Sequence, residues 1–261
     1  MNYSFALVGL AVLFFFLLFA AIQVGRYMGG RRGREEVSGR SGAAAIEASV
    51  FALLGLLVAF TFSGAAQRMA DRRHLLVQEV NAIGTAWLRI DMINAADQPV
   101  LREQFRRYVD ARIDYYRHVA DLDKREAIAN RVAAIQKEIW ASSMQAAGRS
   151  TPPFAASYAG AVNEMFDVAT SLTVAQKVHP PVVTYLFLCF LALVCGCFVG
   201  LNLAEAKRGG LVHQGLYALV MTAALYIIVD FEFPRIGTIR IDQGDTLLIS
   251  QRDAMNDPAG R

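Results

Sequence analysis

Twenty consecutive residues, Ala48 to Gln67, carry no charge, and the helical periodicity they begin continues without a proline to Ile90. No other feature constrains the fold as much. A run of that length and composition spans a bilayer, while the following RMADRRHLLVQEVNAIGTAWLRI is charged yet still periodic. The pattern predicts one helix that crosses the membrane and continues beyond it. At 1.5 Å per residue it would be roughly 65 Å long, about twice the hydrocarbon thickness. Small residues recur along one side: Ala48, Ala52, Gly55, Ala59, Ser63, Ala66, Ala70, Asn81 and Gly84. A neighbouring stripe holds Phe51, Leu54, Val58, Phe62, Met69, Leu76, Val80, Ile83 and Trp87. Small residues let helix backbones approach closely in lipid, so the first stripe predicts a helix contact. Its partner is either another helix of the same chain or copies of the same helix around an axis. Gly55, Ala59, Ser63 and Gly64 are the candidate contact or pore positions.

The rest of the chain repeats this division. It is 55% hydrophobic and 19% charged, a balance that suits a membrane protein with a sizeable polar part. A net charge of +3 makes no case for a nucleic-acid partner. Cys189, Cys195 and Cys197 lie in one apolar run, which excludes a disulfide framework and suits small apolar filler.

Met1 to Gly25 has no charged residue, and the basic residues follow its apolar centre rather than precede it. That order argues for a span, not a signal peptide, with the N-terminus outside. The connector RYMGGRRGREEVSGRSG sets five arginines against Glu35 and Glu36 and is expected on the cytoplasmic side. Glu47 is expected at the interface, reaching headgroups. From Arg68 to His179 there are 15 Lys/Arg and 13 Asp/Glu, the balance of a solvated helical surface. Asp97 can cap a helix with Pro99 in its first turn, and its apolar face holds Leu101, Phe105, Tyr108, Val109, Ile113 and Tyr116. Asp123 and Glu126 have capping-box spacing before Ile128, Val132, Ile135 and Ile139. RSTPP breaks the chain ahead of Tyr158, Val162, Met165, Ala169 and Leu172. Tyr115 with Tyr116, and Arg106 with Arg107, read as bundle surface.

The predicted fold is an all-α membrane protein. Four transmembrane helices in a 2+2 arrangement carry an inserted soluble four-helix bundle, the second span continuous with the first bundle helix. The first hairpin takes residues 1–67, with spans at about 4–24 and 46–67 and the connector at 26–42. The bundle takes 68–179. The second hairpin takes 180–231, with spans at about 181–204 and 211–230, and a polar tail takes 232–261. If the first connector and the Lys207–Arg208 turn are cytoplasmic, the bundle and both termini lie outside.

No enzyme constellation is present: there is no phosphate loop, HExxH, GxSxG or CxxC. The four histidines are scattered, and neither a metal nor a cofactor is expected. Two polar clusters remain. Glu79, Asn81 and Thr85 either line a vestibule or fix helix register, with Glu79 paired to an arginine. Asp230, Glu232 and Arg235 leave the fourth span near Arg68 and Arg72 in predicted depth. They are either charges marking the membrane boundary or a ring of carboxylates at a pore mouth, which would favour cations.

AFTFSGA at Ala59–Ala65, ExNAIGTA at Glu79–Ala86, and the acidic pair before Pro-Arg-x-Gly at Asp230–Gly237 resemble the bestrophin-like domain family. This is a group of bacterial and plant membrane proteins carrying a domain of unknown function. The resemblance covers nearly the whole chain and implies a multi-pass protein of a plasma membrane, for a bacterium the inner membrane. Through the bestrophins it implies a homo-oligomeric channel with four spans and a helical domain, passing small ions, with the lipid bilayer as surroundings. Bestrophins keep that helical domain in the cytosol, whereas the arginine connector predicts it outside. The second function class is a membrane-anchored sensor or scaffold whose bundle binds a ligand or partner.

Overall fold

The computed structural model describes residues 3–31, 40–118, 121–204, 210–233 and 242–256. Among the described residues all regular structure is helical. The order is α1 (Tyr3–Arg31), α2 (Arg40–Arg89), a 3-10 turn (Ile90–Met92), α3 (Gln98–Arg117), α4 (Leu122–Ala147), α5 (Pro152–Lys177), α6 (Val182–Asn202), α7 (Gly210–Glu232) and α8 (Asp242–Ala254). Four stretches hold helix long and apolar enough to cross a membrane: Phe5–Arg31, Ala43–Met92, Pro152–Asn202 and Gly210–Glu232. The chain divides into two compact units, Met1–Gln67 with His179–Thr238, and Arg68–Val178 with Ile239–Arg261. The 50-residue α2, about 75 Å of helix, contributes to both.

In the apolar unit α1 runs past the glycines of the expected connector as far as Arg31. Gly25 and Gly29 stand one turn apart, and α6 offers Gly196 and Gly200 at the same spacing. A Cβ on Gly200 would come within 2.7 Å of the Arg26 backbone nitrogen, and one on Gly29 within 2.9 Å of the Leu201 carbonyl oxygen. Only glycine fits where these backbones meet. Contact along the crossing offsets the roughly 1 kcal/mol that each glycine costs a helix interior. The small-residue crossing inside the chain is therefore α1 on α6, not α2. Beside it Leu54 of α2, Leu191 and Cys195 of α6 and Ile228 of α7 share one core. All three cysteines are free thiols. Gln23 Nε2 donates to Gln214 Oε1 at 2.8 Å, a polar link between α1 and α7.

In the helical unit the periodic positions are buried: Leu76 and Ile83 of α2, Leu101 and Phe105 of α3, Val132 and Ile139 of α4, and Tyr158, Met165 and Leu172 of α5. Two helix starts differ from the sequence expectation. The cap of α4 is Asp121, whose carboxylate accepts from the Lys124 backbone N–H at 3.2 Å; Asp123 lies inside the helix. Asp97 sits at the start of α3 in helical conformation and makes no side-chain cap. Its carboxylate instead receives Arg149 through Nε at 3.1 Å and through Nη2, so an ion pair from the α4–α5 link outcompetes the cap. Pro152 and Pro153 form the first turn of α5, where proline removes no needed donor.

The tail, left without an assigned element by its polarity, contains α8. Arg252 reaches Asp110 of α3 through Nε at 2.8 Å, and Arg106 of α3 donates to the Met255 carbonyl at 3.0 Å. Leu248 and Met255 are buried by this docking. Thirteen mostly polar residues show too weak a stripe to be read as a helix without that partner.

Candidate functional site

One face of α2 is left exposed by the described residues. Ala48, Ala52, Gly55, Ala59 and Ser63 are all exposed, and a Cβ built on Gly55 meets no atom within 4 Å. Gly64 lies off this face and is half-buried. The same helix buries Leu54 and Ala65 on its opposite side. Leu53, Leu56 and Phe60 flank the small residues and are exposed as well. A helix that met only lipid would gain more from large side chains than from a strip of alanine, glycine and serine. Such a strip suits a close neighbour or an open lumen.

Further along α2 the expected polar cluster divides. Asn81 and Thr85 are exposed and line a cavity of about 330 Å³ with Gln78, Arg89, Gly160 and Glu164. Arg89 closes one end of this α2–α5 groove by donating to the Ser157 carbonyl at 2.8 Å. Glu79 points elsewhere and is wholly buried. Arg112 Nε donates to its Oε1 at 2.6 Å, the Tyr116 hydroxyl donates to its Oε2, and Arg112 Nη2 donates to the Tyr116 oxygen. The guanidinium also lies 4.9 Å from the Tyr116 ring centroid and 5.4 Å from that of Tyr115. Burial works against the Arg112 charge. Tyr116, Glu79 and Tyr108 together outweigh it and hold the pKa well above the ordinary value. Burial pushes the Tyr108 hydroxyl up to about 12. Tyr115 and Tyr116 are therefore interior, not surface as their acidic neighbours suggested, because Arg112 turns inward with them. Arg107 does stay outside, 3.1 Å from Glu138.

The boundary charges are spread over separate contacts. Arg72 is buried and donates to the carbonyls of Ala175 and Val178, both at 3.0 Å, closing the C-terminus of α5 where cations are favoured. Arg68 is half-buried. Asp230 and Glu232 are buried at the end of α7. His179 Nδ1 stands 3.5 Å from Glu232 Oε2, and its ring stacks on Phe233 at 4.8 Å. Arg235 lies outside the described residues. Glu47 accepts from Asn202 Nδ2 at 2.7 Å, so a partner within the chain takes the place expected for headgroups. His74 pairs with Gln78. Among the described residues no cluster of three histidines, cysteines or acids could hold a metal.

The bestrophin-like domain matches residues 9–245. The chain belongs to the bestrophin-like domain family. No curated protein and no solved structure matches it.

This bestrophin-like protein thus combines four helices fit to cross a membrane with a helical bundle, and its family is one of membrane proteins. The match ends inside α8, so most of that docked helix lies beyond the family domain. Two groups of residues escaped the sequence reading. Gly25, Gly29, Gly196 and Gly200 carry a spacing signal that was there to find, a Gly-xxx-Gly pair in each of two spans. Arg112 carries none: among fifteen basic residues in Arg68–His179, nothing local marks Arg72 and Arg112 as the buried ones.

Proposed function

We propose that this bestrophin-like protein is a homo-oligomeric, channel-like membrane protein in which copies meet about an axis faced by α2. The exposed small-residue face carries the proposal. Ala52, Gly55, Ala59 and Ser63 are uncovered in the single chain although large apolar residues were available to cover lipid. The face is uncharged from Ala48 to Gln67, so an ion passing it would be admitted by width and hydration rather than by fixed charge. Asn81 and Thr85 are exposed on the same helix within the helical unit. Asp230 and Glu232 are buried within the chain and play no part in this lining.

Purified protein reconstituted in planar bilayers is expected to give unitary currents, and the particle in detergent is expected to be larger than one chain. Silent bilayers together with a monomeric particle would end this reading. The five arginines of the first connector support a cytoplasmic connector, with the helical unit and both termini outside and, for a bacterial cell, the inner membrane as host. A cysteine-free protein carrying Ala134→Cys on exposed α4 should react with an impermeant maleimide in intact cells. Reaction only after permeabilisation would reverse the orientation.

A further inference from the structure

The helical unit holds a second cavity, of about 190 Å³, between α3, α4 and α5. Its polar lining is Arg112, Gln136, Thr170 and Thr173, and its apolar walls include Tyr115 and Val132. The volume accommodates a ligand of roughly six to ten heavy atoms, at the tens of Å³ that a water-sized group occupies.

The hydrogen-bond inventory defines what would fit. Arg112 engages Glu79 through Nε and Tyr116 through Nη2; among the described residues Nη1 makes no hydrogen bond. Arg112 lines the cavity, so this remaining donor is the one a ligand there would engage. The Thr170 and Thr173 hydroxyls donate to the Phe166 and Ala169 carbonyls at 2.9 and 2.8 Å, which leaves their lone pairs as acceptors. Gln136 turns its amide nitrogen to the Tyr108 hydroxyl at 3.5 Å and keeps its carbonyl oxygen as a further acceptor.

Charge then narrows the class. Glu79 and Arg112 already form a buried neutral pair, and among the described residues no other charged side chain lines the cavity. The cavity opens to solvent past Ala133, Thr170 and Val174, but its inner wall of Arg112, Tyr115 and Val132 is buried, and a charged group seated against that wall would add an uncompensated charge beside the pair at a cost. An uncharged ligand with a carbonyl-type acceptor, adjacent N–H donors and an apolar body meets every group. We infer that this cavity binds a small uncharged primary amide. In that pose the carbonyl accepts from Arg112 Nη1 and the amide N–H groups donate to Gln136 and Thr173. The body rests on Tyr115 and Val132. This site is independent of whether the protein conducts.

The test uses the full chain in detergent, followed by thermal unfolding, with benzamide as probe and benzoate as its charged counterpart. A ligand that binds only the folded form raises the apparent unfolding temperature saturably, by roughly 2–4 °C for a chain of this size when in large excess over its dissociation constant. Benzamide should do so and benzoate should not. Ala133 lies on the cavity wall and is exposed, so Ala133→Trp fills the space without disturbing the core. It should abolish the shift, while Ala134→Trp, on exposed surface away from the cavity, should keep it. If Ala133→Trp does not fold, Thr173→Val removes one acceptor at constant shape and should weaken benzamide several-fold. No saturable shift with benzamide, an equal shift with benzoate, or an undiminished shift in the variant that folds would overturn the inference.

Discussion

The apolar unit and the helical unit fasten long helices side by side by opposite means. In the apolar unit α1 and α6 meet by deletion: Gly25, Gly29, Gly196 and Gly200 remove side chains until backbones touch. In the helical unit α2 and α3 meet through added polarity, with Glu79, Arg112 and Tyr116 exchanging charge-assisted hydrogen bonds out of water. The difference fits the composition of the two units, one of long uncharged helices and the other rich in charge. In lipid, apolar area gives helices no reason to associate, so close dispersion contact has to do it. In water, burying the flanking Leu76, Ile83 and Phe105 supplies the drive, and the ion pair fixes register within an association already favoured. Helix α2 takes part in both units and still has one face used by neither.

The largest effect should come from breaking the polar fastening on one side. Arg112→Met leaves Glu79 buried without its cation and should cost about 3–5 kcal/mol, read as a fall in the denaturant midpoint of the detergent-solubilised chain. Adding Glu79→Leu should return most of that loss, because the pair as a whole stands near break-even against apolar replacements. A double variant no better than the single would mean that the pair itself, and not the stranded carboxylate, holds α2 to α3. Gly200→Leu probes the other fastening. Its side chain has nowhere to go between Ile22 and Arg26, and overpacking of this kind costs about 1–3 kcal/mol or more. Loss of folded protein in size-exclusion profiles is expected, and a well-behaved variant would show that α1 and α6 are not pinned together.

These contrasts explain what the sequence disclosed. The spans, the bundle stripes such as Tyr158, Val162, Met165 and Leu172, and the continuity of α2 follow from period and charge, which are local properties. The α1–α6 crossing was half legible: the glycine spacing is visible, but glycines beside arginines equally suggest a connector. In the structure these glycines lie inside a helix that runs to Arg31, with Gly25 against Cys197 and Gly29 against Leu201 of α6. Glu79 was recognisable as a misfit on an apolar stripe, and an arginine was its expected partner. That the partner is Arg112, 33 residues away, is set by how two helices pack, and so is the inward turn of Tyr115. The docking of α8 depends on Asp110 and Arg106 in the same non-local way.

A smaller effect separates the units by pH. The Tyr108 hydroxyl is raised from 10.0 to about 12, chiefly by burial. Because the folded value lies above the unfolded one, its contribution is complete below pH 10 and disappears as pH climbs through about 12. Over that window the native chain should lose roughly 1–3 kcal/mol relative to Tyr108→Phe, measured by urea unfolding at stepped pH. A difference that stays flat would mean that water reaches the hydroxyl.

The smallest expected change in stability bears on the face of α2 that neither unit uses. A side chain at Gly55 meets nothing within 4 Å in the single chain, so Gly55→Leu should alter monomer stability by no more than about 0.5 kcal/mol and even gains helix propensity. If copies converge on this face, the same leucine is inserted once per subunit at one level of the axis. Particle mass or conductance should then change sharply while the unfolding midpoint does not. Leu53 lies one residue away among the large exposed residues, and Leu53→Phe there should leave both readouts unaltered. Gly55→Leu with unchanged mass and current would instead make the small residues ordinary lipid-facing surface. Close approach by glycine would then be confined to α1 and α6.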